Sequence, residues 1–225
     1  MKIEILQTGS KGNATILTDK AGNQLLIDAG LKYDKIARRI KDFGRLTVVC
    51  THEHGDHSLS LARFETICET ISPKNAKSGM LIKAAHGTWD ILPIAVPHGS
   101  CLCFAYIIVN QLEHKKILWA TDLTELPRIA APSSYDLFAI ECNYELDKAL
   151  DAVTSGKIKS DGYVNHLEAN TLKTWLDNQQ GAPKDLCIIH LSNSGLINRS
   201  DLPLLFKRYC RRGFYIGDKN LSFEV

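Results

Sequence analysis

Several short apolar runs in this chain stop on a residue able to bind a cation: "ILPIAVPH" ends on His98, "KILWATD" on Asp122 and "DLCIIH" on His190. Another, "LTVVCTH", runs directly into "EHGDHS", so that His52, His54, Asp56 and His57 fall within six positions. Continuous runs of this length and β-branched character read as buried strands. Adjacent strand ends converge on a common edge, so a fold that pairs these runs gathers their terminal residues into one site.

The remaining pattern supplies the layers. "KIEIL", "ATILTD" and "NQLLIDAG" read as an opening β-meander, with Gly22 and Asn23 in "KAGN" suited to a hairpin. "CLCFAYIIV" and "DLFAIECN" add strands in the middle of the chain. Helices are predicted over "YDKIARRIKDF", "HSLSLARFETIC", "YELDKALDAV", "HLEANTLKTWLDNQ" and "RSDLPLLFKRYC". In the first of these Tyr33, Ile36, Ile40 and Phe43 share a face, and Lys35, Arg38, Arg39 and Lys41 form a solvated one. Two β-rich runs, each finished by helices, predict an α/β fold of αββα sandwich type, with residues 1–225 as a single domain.

Composition narrows the setting more than the chemistry. Twenty-seven basic against 25 acidic residues give a formal charge of +2, which selects neither a small anionic substrate nor a nucleic acid. Seven cysteines, an odd number without framework spacing, read as reduced and buried thiols of a cytoplasmic protein. Cys101 and Cys103, two apart on one strand face, suit core packing better than a strained disulfide. No apolar run approaches the length of a membrane span and the start lacks a signal-peptide pattern, so a soluble protein with no membrane partner is expected.

One histidine is most often a surface or core residue, but three within six positions beside an aspartate call for a cation. A helical zincin motif needs a second histidine four residues after the first, where this chain has Asp56, and Gly55 and the strand context also argue against it. In extended backbone His52 and His54 point the same way and can grip one ion, while a turn at Gly55 directs Asp56 and His57 toward a second. Four side chains cannot complete two metal sites, and His98, Asp122 and His190 are the available additions.

With these residues in order, the chain resembles the metallo-β-lactamase fold hydrolases, whose His-x-His-x-Asp-His signature is "HEHGDH" here. The resemblance implies that His52, His54 and His98 hold one metal, that Asp56, His57 and His190 hold the other, and that Asp122 bridges them. It also implies that Asp28, which closes "LLID", orients the histidine loop. Within that family, "QTGSKGNATIL", "LLIDAGL", "THEHGDHS", "IECNY", "NHLEANTL" and "IIHLSNSG" are similar to the YycJ (WalJ) group of predicted exonucleases. The chain departs from that group's usual segments at Thr8, at Cys142 and Tyr144 around Asn143, and at Glu168 in place of a serine. It also lacks the aspartate that often follows the histidine of "HGS" and the glycine-rich continuation after "TDL".

Two divalent ions, Zn²⁺ or Mn²⁺ with Fe²⁺ as a further option, would activate a bridging water as hydroxide and neutralise charge on an attacked phosphodiester. Asp56 is counted among the candidate catalytic residues as well as the ligands. The resemblance gives His166 the role of general acid or phosphate contact. Glu141 and Asn143 end a strand at the same edge, suited to supporting the ligands or touching substrate. The turn Ser10–Lys11–Gly12–Asn13 could offer amides to a phosphate or be an ordinary turn. "FKRYCRRGFY" mixes Lys207, Arg208, Arg211 and Arg212 with aromatics, a pattern open to a nucleic-acid backbone or to a solvated helix face. His86 and His114 read as surface residues, and Trp89, Trp119 and Trp175 as core. The expected activity is a phosphodiesterase or nuclease acting on nucleic acid, DNA favoured. The alternatives are hydrolysis of a small phosphodiester, thioester or lactone, and a non-catalytic nucleic-acid-binding protein on the same scaffold.

Overall fold

The computed structural model describes residues 1–159 and 163–225. In chain order the regular elements are β1 (Lys2–Gln7), β2 (Ala14–Thr18), β3 (Gln24–Ile27), α1 (Tyr33–Ala37), β4 (Leu46–Val49), α2 (Gly55–Ser58), α3 (Leu61–Phe64), β5 (Glu69–Ile71), β6 (Ile82–Lys83) and β7 (Trp89–His98). There follow β8 (Cys101–Asn110), β9 (Lys115–Ala120), β10 (Leu137–Glu141), α4 (Leu146–Thr154), α5 (Ala169–Asp177), β11 (Asp185–Ile189), α6 (Leu202–Phe206), β12 (Gly213–Ile216) and β13 (Leu221–Glu224). One sheet has the order β13-β1-β2-β3-β4-β5 and the other β12-β11-β10-β9-β8-β7-β6.

Alternation along the strands builds the sandwich. Ile3, Ile5, Leu17, Leu25, Ile27 and Val49 of the first sheet share a core with Phe104, Tyr106, Ile117, Trp119, Leu137 and Ile189 of the second. Residues of opposite parity, Ile16, Leu26 and Val48, pack outward against Ile36 of α1 and Leu61 and Phe64 of α3. On the other outer face, Phe138, Ile140, Leu186 and Ile188 are covered by Leu172 and Leu176 of α5 and by Leu202 and Phe206 of α6. The αββα layering expected from the sequence is what the chain forms. Among the described residues no helix is long and apolar enough to cross a membrane.

Several helices are shorter than their apolar periodicity predicts, and side chains from elsewhere explain why. The helix expected over residues 33–43 stops at Ala37 because buried Gln24 captures the following backbone, donating from Nε2 to Arg39 O (3.1 Å) and accepting from Lys41 N (2.7 Å). The one expected over 57–68 splits into α2 and α3, and Ser60 N between them bonds to Ala29 O at 2.9 Å. Pro203 at the first turn of α6 removes an N–H and marks its start, so the predicted helix over 199–210 shrinks to five residues and a 3-10 turn. Strands β5, β6, β12 and β13 carry little signal of their own and exist through pairing with β4, β7, β11 and β1.

Every parallel strand of the second sheet, and β1, β3 and β4 of the first, ends on the same rim. Within each sheet the registers align these ends, since β3 and β4 run parallel, β9 to β12 run parallel, and Leu221 at the start of β13 pairs with Ile5 near the end of β1; His190 N bonding to the Thr8 hydroxyl at 3.0 Å joins the two sheets there. β7 and β8 reach that rim through their tight hairpin at His98 and Cys101.

Candidate metal centre

The histidine loop is suspended between the two sheets. Beyond β4, Cys50 O accepts from the Tyr106 hydroxyl (2.7 Å) and Thr51 O from Phe104 N (2.9 Å), both on β8. Asp28, at the end of β3, accepts from Thr51 N at 2.8 Å, from the Thr51 hydroxyl at 2.9 Å, and from His57 Nδ1 at 2.8 Å. With Nδ1–H committed to Asp28, His57 turns its Nε2 toward the site. Gly30 lets the loop sit this close, since a Cβ there would fall 1.6 Å from Asp56 O.

The first group of donors consists of three imidazoles. His54 Nδ1 lies 2.9 Å from His52 Nε2 and 3.3 Å from His98 Nε2. His98 donates from Nδ1 to Asn165 O at 2.9 Å, and His52 Nδ1 faces the Thr51 hydroxyl at 3.1 Å, so the Nε2 of each is left with a lone pair toward His54. Burial, reinforced by the neighbouring charge at His57, pulls His52 down to about 2, and burial also lowers His98. His54 Nδ1 has at most one proton to share between those two nitrogens, so the three ring nitrogens converge without a full set of hydrogen bonds among them. Their spacing matches the N···N edge of about 3.3 Å that a tetrahedral ion with bonds of about 2.0–2.1 Å requires.

The second group is built on Asp122. Its Oδ2 lies 3.1 Å from His57 Nε2 and 3.4 Å from His190 Nε2, while Oδ1 lies 4.0 Å from His98 Nε2, so the carboxylate spans both groups. Asp56 Oδ2 stands 3.7 Å from His57 Nε2, and Asp56, His57 and His190 can each offer an atom to one ion. His190 is anchored by its backbone N–H to the Thr8 hydroxyl (3.0 Å) and by Nδ1 to Glu141 (3.2 Å), yet its buried Nε2 has no hydrogen-bond partner. A buried nitrogen left unsatisfied costs free energy unless something else occupies its lone pair. Burial disfavours charge on His57 and His190, but Asp122 outweighs it and raises both, and those histidines hold Asp122 well below the ordinary carboxylate range. The donors fall into overlapping groups whose chemistry suits divalent cations, with His52, His54 and His98 on one side, Asp56, His57 and His190 on the other, and Asp122 between.

Asp28, Asp122 and His190 share a backbone feature. All three have positive φ, at 61°, 54° and 51°, although none is glycine. Each follows a strand end, and the left-handed conformation turns the side chain from the strand direction into the rim.

Glu141, fully buried, uses Oε1 for His166 Nδ1 (2.6 Å) and His190 Nδ1 (3.2 Å), and Oε2 for Leu123 N (3.1 Å). Although burial works against it, the Glu141 charge raises His166 to about 9, so the ring carries its proton at neutral pH. His166 lies before α5, not in it, because residues 167 and 168 run alongside 143 and 144: Asn143 N bonds Leu167 O at 2.9 Å and Ala169 N bonds Tyr144 O at 2.9 Å. Asn143 also donates from Nδ2 to His190 O at 3.0 Å.

Other residues take different places from those the sequence offered. In the turn Ser10–Asn13, Gly12 N bonds Gly9 O, Asn13 N bonds Asp56 O, and the Asn13 amide fits between Gly9 and His57 Nε2 (2.8 Å). That turn braces the histidine loop, and its amides at Gly12 and Asn13 are spent. In "FKRYCRRGFY" Arg208 pairs with Asp177, Arg211 with the carbonyls of Ala182 and Ser133, and Arg212 with Asp185 at the start of β11. Asp185 and His190 are at opposite ends of that strand, so the segment lies on the rim away from the donors. His86 and His114 are exposed and Trp89 and Trp119 are buried, as expected, while Trp175 is half-buried against the core; all seven cysteines are free thiols, but Cys68, Cys101 and Cys210 are half-buried and not buried as expected. Thr8, Thr51 and the Asn165 carbonyl were not anticipated as supports. Only Thr51, adjacent to the motif, carried a usable sequence signal.

No protein-family model matches the chain, and no curated protein matches it significantly. Solved structures do. The metallo-β-lactamase fold protein YhfI from Bacillus subtilis is similar over 100% of this chain and 99% of its own, with a TM-score of 0.71 at 15% identity. Zn²⁺-bound PqqB from Methylobacterium extorquens matches over 100% of both chains with a TM-score of 0.67 at 10% identity. A diphosphatase of the PhnP family matches over 100% of this chain and 97% of its own with a TM-score of 0.63 at 12% identity. The chain has the metallo-β-lactamase fold.

Proposed function

We propose that this protein is a dinuclear metal-dependent hydrolase of phosphodiesters, acting as a nuclease on nucleic acid, with DNA the favoured substrate and an exonuclease of the YycJ type the finer reading. The observation that carries it is the pair of donor groups joined at Asp122, one of whose nitrogens, His190 Nε2, is buried without a partner. Zn²⁺, Mn²⁺ or Fe²⁺ bound there would supply an activated water and neutralise the anionic oxygens of the phosphate.

The chain's own residues do the rest. Asp28, Thr51 and Glu141 fix the imidazoles by bonding their Nδ1 atoms, so the Nε2 atoms of His52, His57 and His190 face the reaction space. Glu141 keeps His166 protonated through Nδ1, and His166 then gives its Nε2 proton to the departing oxygen and remains neutral with Nδ1–H still on Glu141. A phosphodiester leaving group needs that proton, and a second acid beside an already anionic centre suits phosphorus more than an ester carbonyl.

Purified protein supplied with Mn²⁺ or Zn²⁺ should cleave both bis-p-nitrophenyl phosphate and end-labelled DNA. Cleavage of the small ester alone would favour a small-molecule phosphodiesterase, cleavage of a thioester or lactone alone a different hydrolase, and DNA binding without cleavage a non-catalytic role.

A further inference from the structure

A second cleft opens on the same rim as the metal centre. About 230 Å³ is enclosed by residues that include Gln7 at the end of β1, Leu31 beyond β3, Lys35, Arg38 and Arg39 on and just after α1, and Lys219 in the turn between β12 and β13. Four of its lining side chains are cations and none is an acid. Among the described residues only Arg39 has a carboxylate within salt-bridge range, Glu4 at 3.9 Å. Lys35, Arg38 and Arg39 were expected merely to solvate one helix face, but helical periodicity cannot account for Lys219, which arrives from the other end of the chain. Asn220 beside it takes a left-handed φ of 63°, which turns the chain sharply at this point.

Like charges brought together repel, and a cleft lined by one sign of charge attracts the opposite ion. The cleft adjoins the metal centre along the chain at two points. Gln7 lines it while the next residue, Thr8, holds His190 N; Leu31 lines it while the preceding residue, Gly30, packs against Asp56 O. The cleft that the four cations line therefore comes within one residue along the chain of groups that brace the metal centre. The arginines of "FKRYCRRGFY", by contrast, are bonded internally on the opposite rim.

We infer that this cleft is a phosphate-binding subsite for the backbone of a nucleic-acid strand whose scissile phosphodiester lies at the metal centre. The inference rests on the phosphodiester reading above. A small diester has no second phosphate to reach the cleft, so the subsite governs strand affinity and leaves the chemical step alone.

The test compares the metal-loaded protein with its Lys35→Gln/Arg38→Gln/Lys219→Gln variant. All three positions are exposed, so the fold should tolerate them. Binding of a labelled single-stranded phosphorothioate oligonucleotide, which resists cleavage, is followed by anisotropy across a salt series, and hydrolysis of bis-p-nitrophenyl phosphate is measured in parallel. The variant should bind about tenfold or more weakly at low salt, its log Kd should depend less steeply on log salt by about 0.7 for each lost phosphate contact, and ester hydrolysis should be unchanged. Equal oligonucleotide affinity, or an equal loss of ester hydrolysis, would overturn the subsite. Absence of ester hydrolysis by the unsubstituted protein would count against the proposed function, while the difference in oligonucleotide binding would still decide the cleft.

Discussion

The Nδ1 of His166 lies 2.6 Å from Oε1 of Glu141, and the same oxygen reaches His190, so one buried carboxylate serves both the proposed proton donor and a proposed ligand. Replacing Glu141 by Gln keeps the shape but removes the charge that raises His166 and weakens the acceptor for His190. Supporting groups of this kind are worth about 10–100-fold in metal affinity or activity. Glu141→Gln should show a loss in that range by metal titration and by turnover, with the pH at which activity falls on the alkaline side moving downward. Unchanged metal affinity together with an unchanged pH profile would remove Glu141 from the account.

His166 separates acid catalysis from metal binding. His166→Ala should retain the metal content of the unsubstituted protein but cleave end-labelled DNA, whose leaving group is a poor alkoxide, about 10² times more slowly or worse. Less loss is expected with a more acidic leaving group, which needs little help from a proton. A variant with full activity on poor leaving groups would show that the ring is a bystander.

Gly30 tests the packing that seats the loop. A Cβ at this position meets backbone, Asp56 O at 1.6 Å and Asn13 N at 2.8 Å, so no side-chain rotation relieves it. Gly30→Ala should destabilise the fold by about 3 kcal/mol or more in denaturant titration, at or above the upper range for overpacking. A near-neutral result would mean that the loop approaches β3 less closely than described.

A pH-dependent contribution to stability sits away from the site. Burial opposes ionisation of Asp136, but its bonds to Lys184, Lys116 N and Lys115 outweigh that and hold it below the ordinary aspartate value of 3.8. A carboxylate with a depressed folded pKa stabilises above its unfolded value and loses that contribution as pH falls through the folded one. The difference in melting temperature between the unsubstituted protein and Asp136→Asn should therefore be full at neutral pH and shrink below about pH 4. A constant difference down to acid pH would contradict the linkage.

The layers and the rim were legible in the sequence because both depend on local pattern. Apolar runs such as "DLCIIH" declare a strand and its end within a few residues, and the hairpin at Gly22 follows from turn chemistry. Where the reading failed, a distant partner decided the outcome. Gln24 cuts α1 short, β13 forms only because β1 offers an edge, and Asp185 pairs with an arginine whose segment the sequence left open between a nucleic-acid backbone and a solvated face. The same holds within the site. Asp28 and Glu141 could be suggested from their places after strands, but the brace from Asn13 to His57 joins segments 44 positions apart and is visible only in three dimensions.

Two donor groups joined by Asp122 should work as one dinuclear centre. Its most direct test is hydrolysis of bis-p-nitrophenyl phosphate by chelator-treated protein as Mn²⁺ or Zn²⁺ is added back, with bound metal counted at each step. Activity should rise until two ions are bound per chain and then level off, and Asp122→Ala should bind fewer ions and stay inactive. Full activity at one ion per chain, or two bound ions with no hydrolysis of any phosphodiester, would contradict it.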